Sequence, residues 1–343
     1  MRGFASDNQA GVHPAVLEAI AAANVDHAAS YGHDAWTDRL ATRFREHFGE
    51  AAQAFPVFNG TAANVLSLRA SCRPWEAAIC AESAHLNVDE GGAPEAIAGV
   101  KLLAVESIDG KLTPELIAGP ARARRGDEHQ VQARVVSISQ STELGTVYSA
   151  DEVAALAEAA HSHGLVLHVD GARLSNAAAA LQLPLRALTT DAGVDVVSFG
   201  GTKNGLLGAE AVVFLNPELA EGFPYLRKQS LQLASKLRFL SAQLDALLSD
   251  ELYLRLASHA NAAAARLAAA VESLPGVTIT RPVQANAVFA TLPPGAAERL
   301  QERFAFYVWD ESSGEVRWMC AWDTTAEDVD AFAGAVAEVL SAR

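Results

Sequence analysis

The sequence predicts an α/β fold: a large domain with a mostly parallel seven-stranded sheet covered by helices, then a smaller C-terminal α+β domain. Three observations carry this. Short β-branched runs alternate with amphipathic helical stretches, the signature of parallel strands joined by crossover helices. Several of those runs are apolar throughout rather than alternating, as expected where helices cover both faces of a sheet. After Pro217 the pattern changes to a long helical region followed by short strands. With 343 residues, 50% of them hydrophobic, the chain can bury a large core in two domains.

In chain order, the predicted strands of the large domain are Ala54–Phe58, Ala77–Cys80, Lys101–Val105, Arg134–Ser139, Leu165–Val169, Asp195–Phe199 and Ala209–Leu215. Helices are predicted over Thr61–Ser71, Thr113–Gly119, Ala150–His163 and Ala172–Leu181. A single long helical region is expected from about Leu226 to Leu274. Beyond Gly276 come strands near Val277–Thr280, Ala287–Leu292, Phe304–Trp309 and Val316–Ala321, and a last helix over Ala326–Leu340. Residues 1–225 thus form the large domain with its N-terminal segment, and 226–343 the connecting helix and small domain. Met1–Leu40 is expected to pack near the small domain or near a partner subunit.

Composition narrows the function classes. A net charge of −15 argues against nucleic acid or an acidic membrane as partner. The N-terminus has no basic stretch leading into an apolar one, and apolar runs are broken well short of a membrane span. Cys72, Cys80 and Cys320 form no C-x-x-C pair and read as reduced thiols. The expectation is a cytoplasmic protein. The ten histidines show no H-E-x-x-H spacing, so no metal is expected. No G-x-G-x-x-G follows an early strand, which removes a nicotinamide site.

Catalytic groups in such a sheet gather at the carboxyl ends of its strands. Those ends carry Asn59-Gly60-Thr61, Glu82-Ser83-Ala84-His85, Ser141-Thr142-Glu143, Asp170-Gly171-Ala172-Arg173 and Gly200-Gly201-Thr202-Lys203. The set suits an anionic, aromatic, aldehyde-bearing cofactor. Of only five lysines, Lys203 alone follows a buried strand through a flexible Gly-Gly-Thr turn. An amine attacking an aldehyde must be unprotonated, and apolar confinement favours that form. Asp170 can hold a ring nitrogen protonated, or simply cap the next helix. Gly60 and Thr61 open a helix whose N–H groups can receive phosphate. His85 can stack on a ring or move protons. Arg173, one turn past Asp170, suits bidentate recognition of a carboxylate, and Arg317 is a second candidate.

These residues resemble the L-threonine aldolase family of fold-type-I pyridoxal-phosphate enzymes, in the branch with low-specificity and phenylserine aldolases. The resemblance spans essentially the whole chain. It runs from Ala5-Ser6-Asp7-Asn8 and Tyr31-Gly32-His33-Asp34-x-Trp36-Thr37 through Phe58-Asn59-Gly60-Thr61-Ala62-Ala63-Asn64 and Ala84-His85. Its strongest segments are His168-Val169-Asp170-Gly171-Ala172-Arg173 and Ser198-Phe199-Gly200-Gly201-Thr202-Lys203-Asn204-Gly205.

The resemblance implies pyridoxal 5'-phosphate as cofactor, Lys203 as the Schiff-base lysine, Asp170 as partner of the pyridine nitrogen and His85 as the stacking residue. It implies phosphate at Gly60 and Thr61, and the substrate carboxylate at Ser6, Arg173 and Arg317. It also implies a homotetramer, with Tyr31 and the Arg227–Arg238 segment, including Lys228 or Lys236, as cross-subunit contributors. The implied reaction is cleavage of L-threonine or L-allo-threonine to glycine and acetaldehyde. Phenylserine aldolase or another β-hydroxy amino-acid lyase is the alternative on the same scaffold, and a cofactor-free binding protein is the alternative outside it. Two departures leave the base open among His85, a water, Glu143 and His33: Glu143 stands where many members have His, and His33 where related sequences have Asp.

Overall fold

The computed structural model describes residues 2–341; Met1, Ala342 and Arg343, at the outer ends of the two expected domains, lie outside the described residues. The large sheet is built from Gln53–Val57 (β1), Glu76–Ala81 (β2), Lys101–Val105 (β3), Gln132–Ser139 (β4), Val166–Gly171 (β5), Val196–Gly200 (β6) and Glu210–Phe214 (β7). Their order is β1-β7-β6-β5-β4-β2-β3, with β7 antiparallel to both its neighbours and the other pairs parallel. Every predicted strand of this sheet is present to within two residues.

The continuous apolar runs follow from alternation between two cores. Val166, Val196 and Val212 face one cluster with Leu66, Phe214 and Phe223, while Leu167, Val197 and Val213 face the other with Phe44, Phe48 and Phe199. Successive side chains point to opposite sides of a strand, so a strand covered on both faces reads as apolar at each position.

The expected long helix is three helices, Phe223–Gln229, Arg238–Leu248 and Leu252–Val271. Leu231, Asp250 and Glu251 adopt positive φ and break it. The apolar periodicity persists across the break at Asp250 and Glu251 because Leu237, Leu240, Leu244, Leu247, Leu252 and Leu256 all contribute to the same large core, whereas Phe223 and Leu226 of the first helix pack into the other cluster. From Ala263 onward the same helix packs into a second core.

That second core belongs to a four-stranded antiparallel sheet, ordered β10-β11-β9-β8, of Thr278–Ile279 (β8), Ala287–Thr291 (β9), Tyr307–Asp310 (β10) and Glu315–Met319 (β11). The helix Ala326–Ser341 packs on it. The strand expected from Phe304 begins three residues later, because Phe304 and Phe306 are buried in the small core ahead of it. Phe4 joins this core, stacked on Phe332 at 4.5 Å, and its carbonyl accepts from Met319 N–H at 2.7 Å. The N-terminal segment therefore completes the small domain and carries Ser6 and Asp7 to the junction of the two sheets. No described helix is long and apolar enough to cross a membrane.

The glycines before Lys203 serve close approach rather than flexibility. A Cβ on Gly200 would lie 2.6 Å from the Cα and carbonyl oxygen of Ala172, which are backbone and cannot swing aside. This contact lets the ends of β5 and β6 come together. Gly200→Ala is expected to cost about 1–3 kcal/mol through forced backbone displacement. Urea unfolding measures this; an unchanged midpoint would show that the strand ends tolerate a side chain.

Candidate active site

A cavity of about 660 Å³ opens where the carboxyl ends of the parallel strands meet the small domain. Ser6, His85, Glu143, Arg173, Lys203 and Arg317 line it together with Asn8, Val88, Asp89, Tyr307, Val308 and Trp309. Four of the five expected strand ends contribute to the lining: β2 leads to His85, β4 to Glu143, β5 to Arg173 and β6 to Lys203.

Lys203 sits on a short turn, Thr202–Asn204, directly after β6. The charge of Arg173 and then burial hold its ammonium below the usual lysine range, against the pull of Asp7, Asp170 and Glu210. A neighbouring cation thus does more than the apolar confinement expected from sequence. The turn is anchored by Glu210 of β7, whose carboxylate accepts Gly201 N–H at 3.0 Å and Thr202 N–H at 3.2 Å.

Asp170, one residue before the end of β5, lies opposite Ser198 of β6, and Lys203 follows β6, so the two belong to adjacent parallel strands. Its Oδ1 accepts Ala172 N–H at 3.0 Å, the turn-capping role, and Oδ2 accepts Asn64 Nδ2 at 2.8 Å. Asn64 also donates to Glu90 Oε1 at 2.8 Å, and the same oxygen meets His85 Nδ1 at 2.9 Å. Glu90 raises the imidazole of His85 above its ordinary range, opposed by burial. Glu143 Oε1 accepts Ser139 Oγ at 2.6 Å and His85 N–H at 2.9 Å, and burial raises its carboxyl.

Arg173 is committed to a bidentate pair with Asp7, Nε to Oδ2 at 2.7 Å and Nη2 to Oδ1 at 2.9 Å. Asn286 Nδ2 reaches the same Oδ2 at 3.1 Å. Burial opposes ionisation of Asp7, but the Arg173 charge and hydrogen bonds outweigh it and hold the carboxyl below its usual range. Both partners therefore stay charged. Arg317, on β11, has its guanidinium 4.6 Å from the Trp309 ring centre and donates to Ala5 O at 3.4 Å. Burial depresses it to about 10. Its Nε has no partner among the described residues. Two guanidinium groups thus face one cavity beside the hydroxyl of Ser6, which accepts Asn8 N–H at 3.2 Å.

Gly60 and Thr61 open the helix Gly60–Ser71, capped by Asn59, and Asn64 lies one turn further along. Neither lines the cavity just described. Tyr31 and His33 are exposed and also lie outside its lining; Lys228 Nζ stands 5.0 Å from the Tyr31 ring centre. Lys236 borders a separate depression with Asp26 and Arg238. Sequence reasoning assigned no role to Asp7, Asn64, Glu90 or Glu210. Two left a signal: Glu210 is an ionisable residue inside the apolar run Ala209–Leu215, and Asn64 a polar one among buried helix residues. A buried polar group requires a partner. Asp7 and Glu90 stand in no apolar run that would mark them as buried, and their partners Arg173 and Asn64 lie 166 and 26 positions away.

A model of the beta-eliminating lyase family matches residues 3–293. The chain is 46% identical over 341 residues to a low specificity L-threonine aldolase of a Pseudomonas species, covering 99% of this chain and 98% of that one. A threonine aldolase structure from Leishmania major superposes with a TM-score of 0.93 at 30% identity, covering 99% of this chain and all of that one. Mouse CSAD, at 15% identity and a TM-score of 0.76 over 98% of this chain and 83% of its own, shares the fold.

Proposed function

We propose, from the premise that the chain belongs to the beta-eliminating lyase family and within it to the threonine aldolases, that it cleaves L-threonine and L-allo-threonine to glycine and acetaldehyde. It is a carbon–carbon lyase. The observation that carries the reading is the convergence of Lys203, His85 and two arginines on one cavity, with Asp170 buried on the strand next to that of Lys203, in a chain related over its full length to such enzymes.

The residues fit pyridoxal 5'-phosphate. Lys203 is an amine held below its usual pKa, as bonding to the cofactor aldehyde requires. Asp170 is a buried carboxylate on the adjoining strand, suited to a protonated ring nitrogen. A Cβ on Gly60 would meet nothing within 4 Å, which leaves the helix N-terminus at Gly60 and Thr61 open to a phosphate. When bound, the cofactor supplies the sink for the electron pair released as the Cα–Cβ bond breaks.

Arg173 and Arg317, with the Ser6 hydroxyl, hold the substrate carboxylate. Asp7 occupies two of Arg173's donor nitrogens and leaves Nη1 for that task. His85 takes the proton of the β-hydroxyl, and a proton delivered to Cα gives glycine, so the cleavage exchanges no net proton with solvent. Glu143 Oε1 already accepts from Ser139 Oγ and the His85 backbone N–H, which gives it the task of holding the start of the His85 segment. The proposed assembly is a cytoplasmic homotetramer, for which the exposed Phe58, Tyr225 and Leu231 offer apolar contact surface.

The test is aldehyde release from L-threonine, L-allo-threonine and β-phenylserine by protein loaded with pyridoxal phosphate. Glycine and acetaldehyde are expected from both threonine diastereomers. No product from either would overturn the reading. Val88, Tyr307, Val308 and Trp309 make one wall of the cavity apolar and aromatic, which favours β-phenylserine as a second substrate.

A further inference from the structure

A hydrogen-bonded chain runs beneath the cavity from His85 to Asp170. His85 Nδ1 meets Glu90 Oε1 at 2.9 Å, and Asn64 Nδ2 bridges that oxygen to Asp170 Oδ2, at 2.8 Å on each side. The Glu90 side chain is fully buried, whereas His85 is about one-third exposed and lines the cavity. With Nδ1 turned inward to Glu90, Nε2 is the ring nitrogen on the open side, where the exposed Asp89 carboxylate stands 3.7 Å away.

We infer that Glu90 is the positioning residue of this site: it fixes the His85 ring with the proton on Nδ1 and Nε2 free toward the cavity, and Asn64 ties this pair to Asp170. The inference rests on the proposed reaction for the task given to His85. A carboxylate accepting from Nδ1 selects the tautomer whose Nε2 can accept a proton, and it stabilises the imidazolium once that proton arrives.

A purely structural role accounts less well for Glu90. Such a buried acid is normally satisfied at both oxygens, yet its Oε2 has no partner among the described residues. Two of the three bonds in the chain converge on Oε1, between the residue proposed as base and the residue proposed to face the ring nitrogen. Asn64 has no second donor to spare: the same Nδ2 serves both acidic side chains, and its buried Oδ1 has no partner among the described residues. The amide therefore orients as a donor toward both acidic side chains and spaces their oxygens.

The charged groups that face His85 set the direction of its titration. Glu90 and Asp89 come from its own segment, Glu143 from the loop after β4, Asp170 from β5 and Lys203 from the turn after β6. Glu90 is the strongest of these in favouring the imidazolium and Lys203 opposes it. Removing the Glu90 charge moves the His85 midpoint to lower pH.

Glu90→Gln keeps the side chain's size and deletes the charge. Two readouts test it in the cofactor-loaded enzyme. The first is the pH dependence of His85 carbethoxylation, followed by peptide mass spectrometry, since only the neutral ring reacts. The second is the pH profile of kcat with L-threonine. In Glu90→Gln the modification midpoint and the acidic limb of kcat both shift to lower pH, and plateau kcat falls on the order of 10²-fold as the tautomer is no longer fixed. Visible absorbance of bound cofactor is retained.

An unchanged midpoint with unchanged kcat, or a change in KM alone, overturns the inference. Loss of cofactor with the midpoint in place also overturns it. Glu90→Ala supplies the same comparison without an amide that could pair with the ring. Wild-type enzyme that releases no acetaldehyde would sink the proposed reaction instead, while the carbethoxylation midpoint still decides whether Glu90 governs His85.

Discussion

Lys203→Ala is expected to remove the visible absorbance of the cofactor-loaded protein and to lower glycine formation from L-threonine by roughly 10⁴-fold or more. No other described lysine can take over. Lys111 is paired with Glu152 at 2.9 Å, Lys228 lies over Tyr31, and neither Lys101 nor Lys236 lines the cavity. The fold should survive, because the turn is held by Glu210 through backbone N–H groups of Gly201 and Thr202 that alanine leaves in place. Removing the ammonium also relieves its repulsion with Arg173. Spectra and initial rates, beside circular dichroism to show the fold intact, measure this. A variant that keeps both its colour and its turnover would displace Lys203 from the centre of the site.

How much of this was legible depends on where each partner lies in the chain. The strands of the large sheet read directly because Leu165–Val169 and Asp195–Phe199 are buried on both faces, and the site follows because parallel strands put their carboxyl ends on one edge. Lys203, Asp170, Arg173 and His85 all stand immediately after such ends. Cross-chain partners could not be read in the same way. Nothing local pairs Asp7 with Arg173, 166 positions away, or Glu90 with Asn64 and His85 at once. The breaks at Leu231 and at Asp250 and Glu251 were hidden for a related reason. Burial rewards apolar spacing whether or not the backbone between two apolar residues is helical, so three helices, the first packed in one cluster and the next two in another, read as one. The Gly-Gly turn was legible as a special backbone but not as a tight one, since the backbone it must admit belongs to Ala172, in the turn after β5.

Asp170→Asn is expected to reduce kcat by about 10²–10³-fold with little change in KM, because an amide cannot hold a ring nitrogen in its protonated state. The structural cost is smaller. The oxygen of the substituted side chain can still accept Ala172 N–H, but its new amide nitrogen would face Asn64 Nδ2, donor against donor. Turning the Asn64 amide over would cure that clash and create another, since Asn64 Oδ1 would then face Glu90 Oε1. One hydrogen bond is lost whichever way Asn64 turns, so stability should fall by about 1 kcal/mol. The pH dependence separates this substitution from simple damage. Asp170 favours the imidazolium form of His85, so its removal lowers the pH at which His85 loses its proton. The acidic limb of kcat should therefore move to lower pH, in the same direction as for Glu90→Gln, although residue 170 does not touch the ring. A kcat loss with the limb unmoved would show that the carboxylate acts on the cofactor alone and that the Asn64 bridge carries no electrostatic coupling between the two ends.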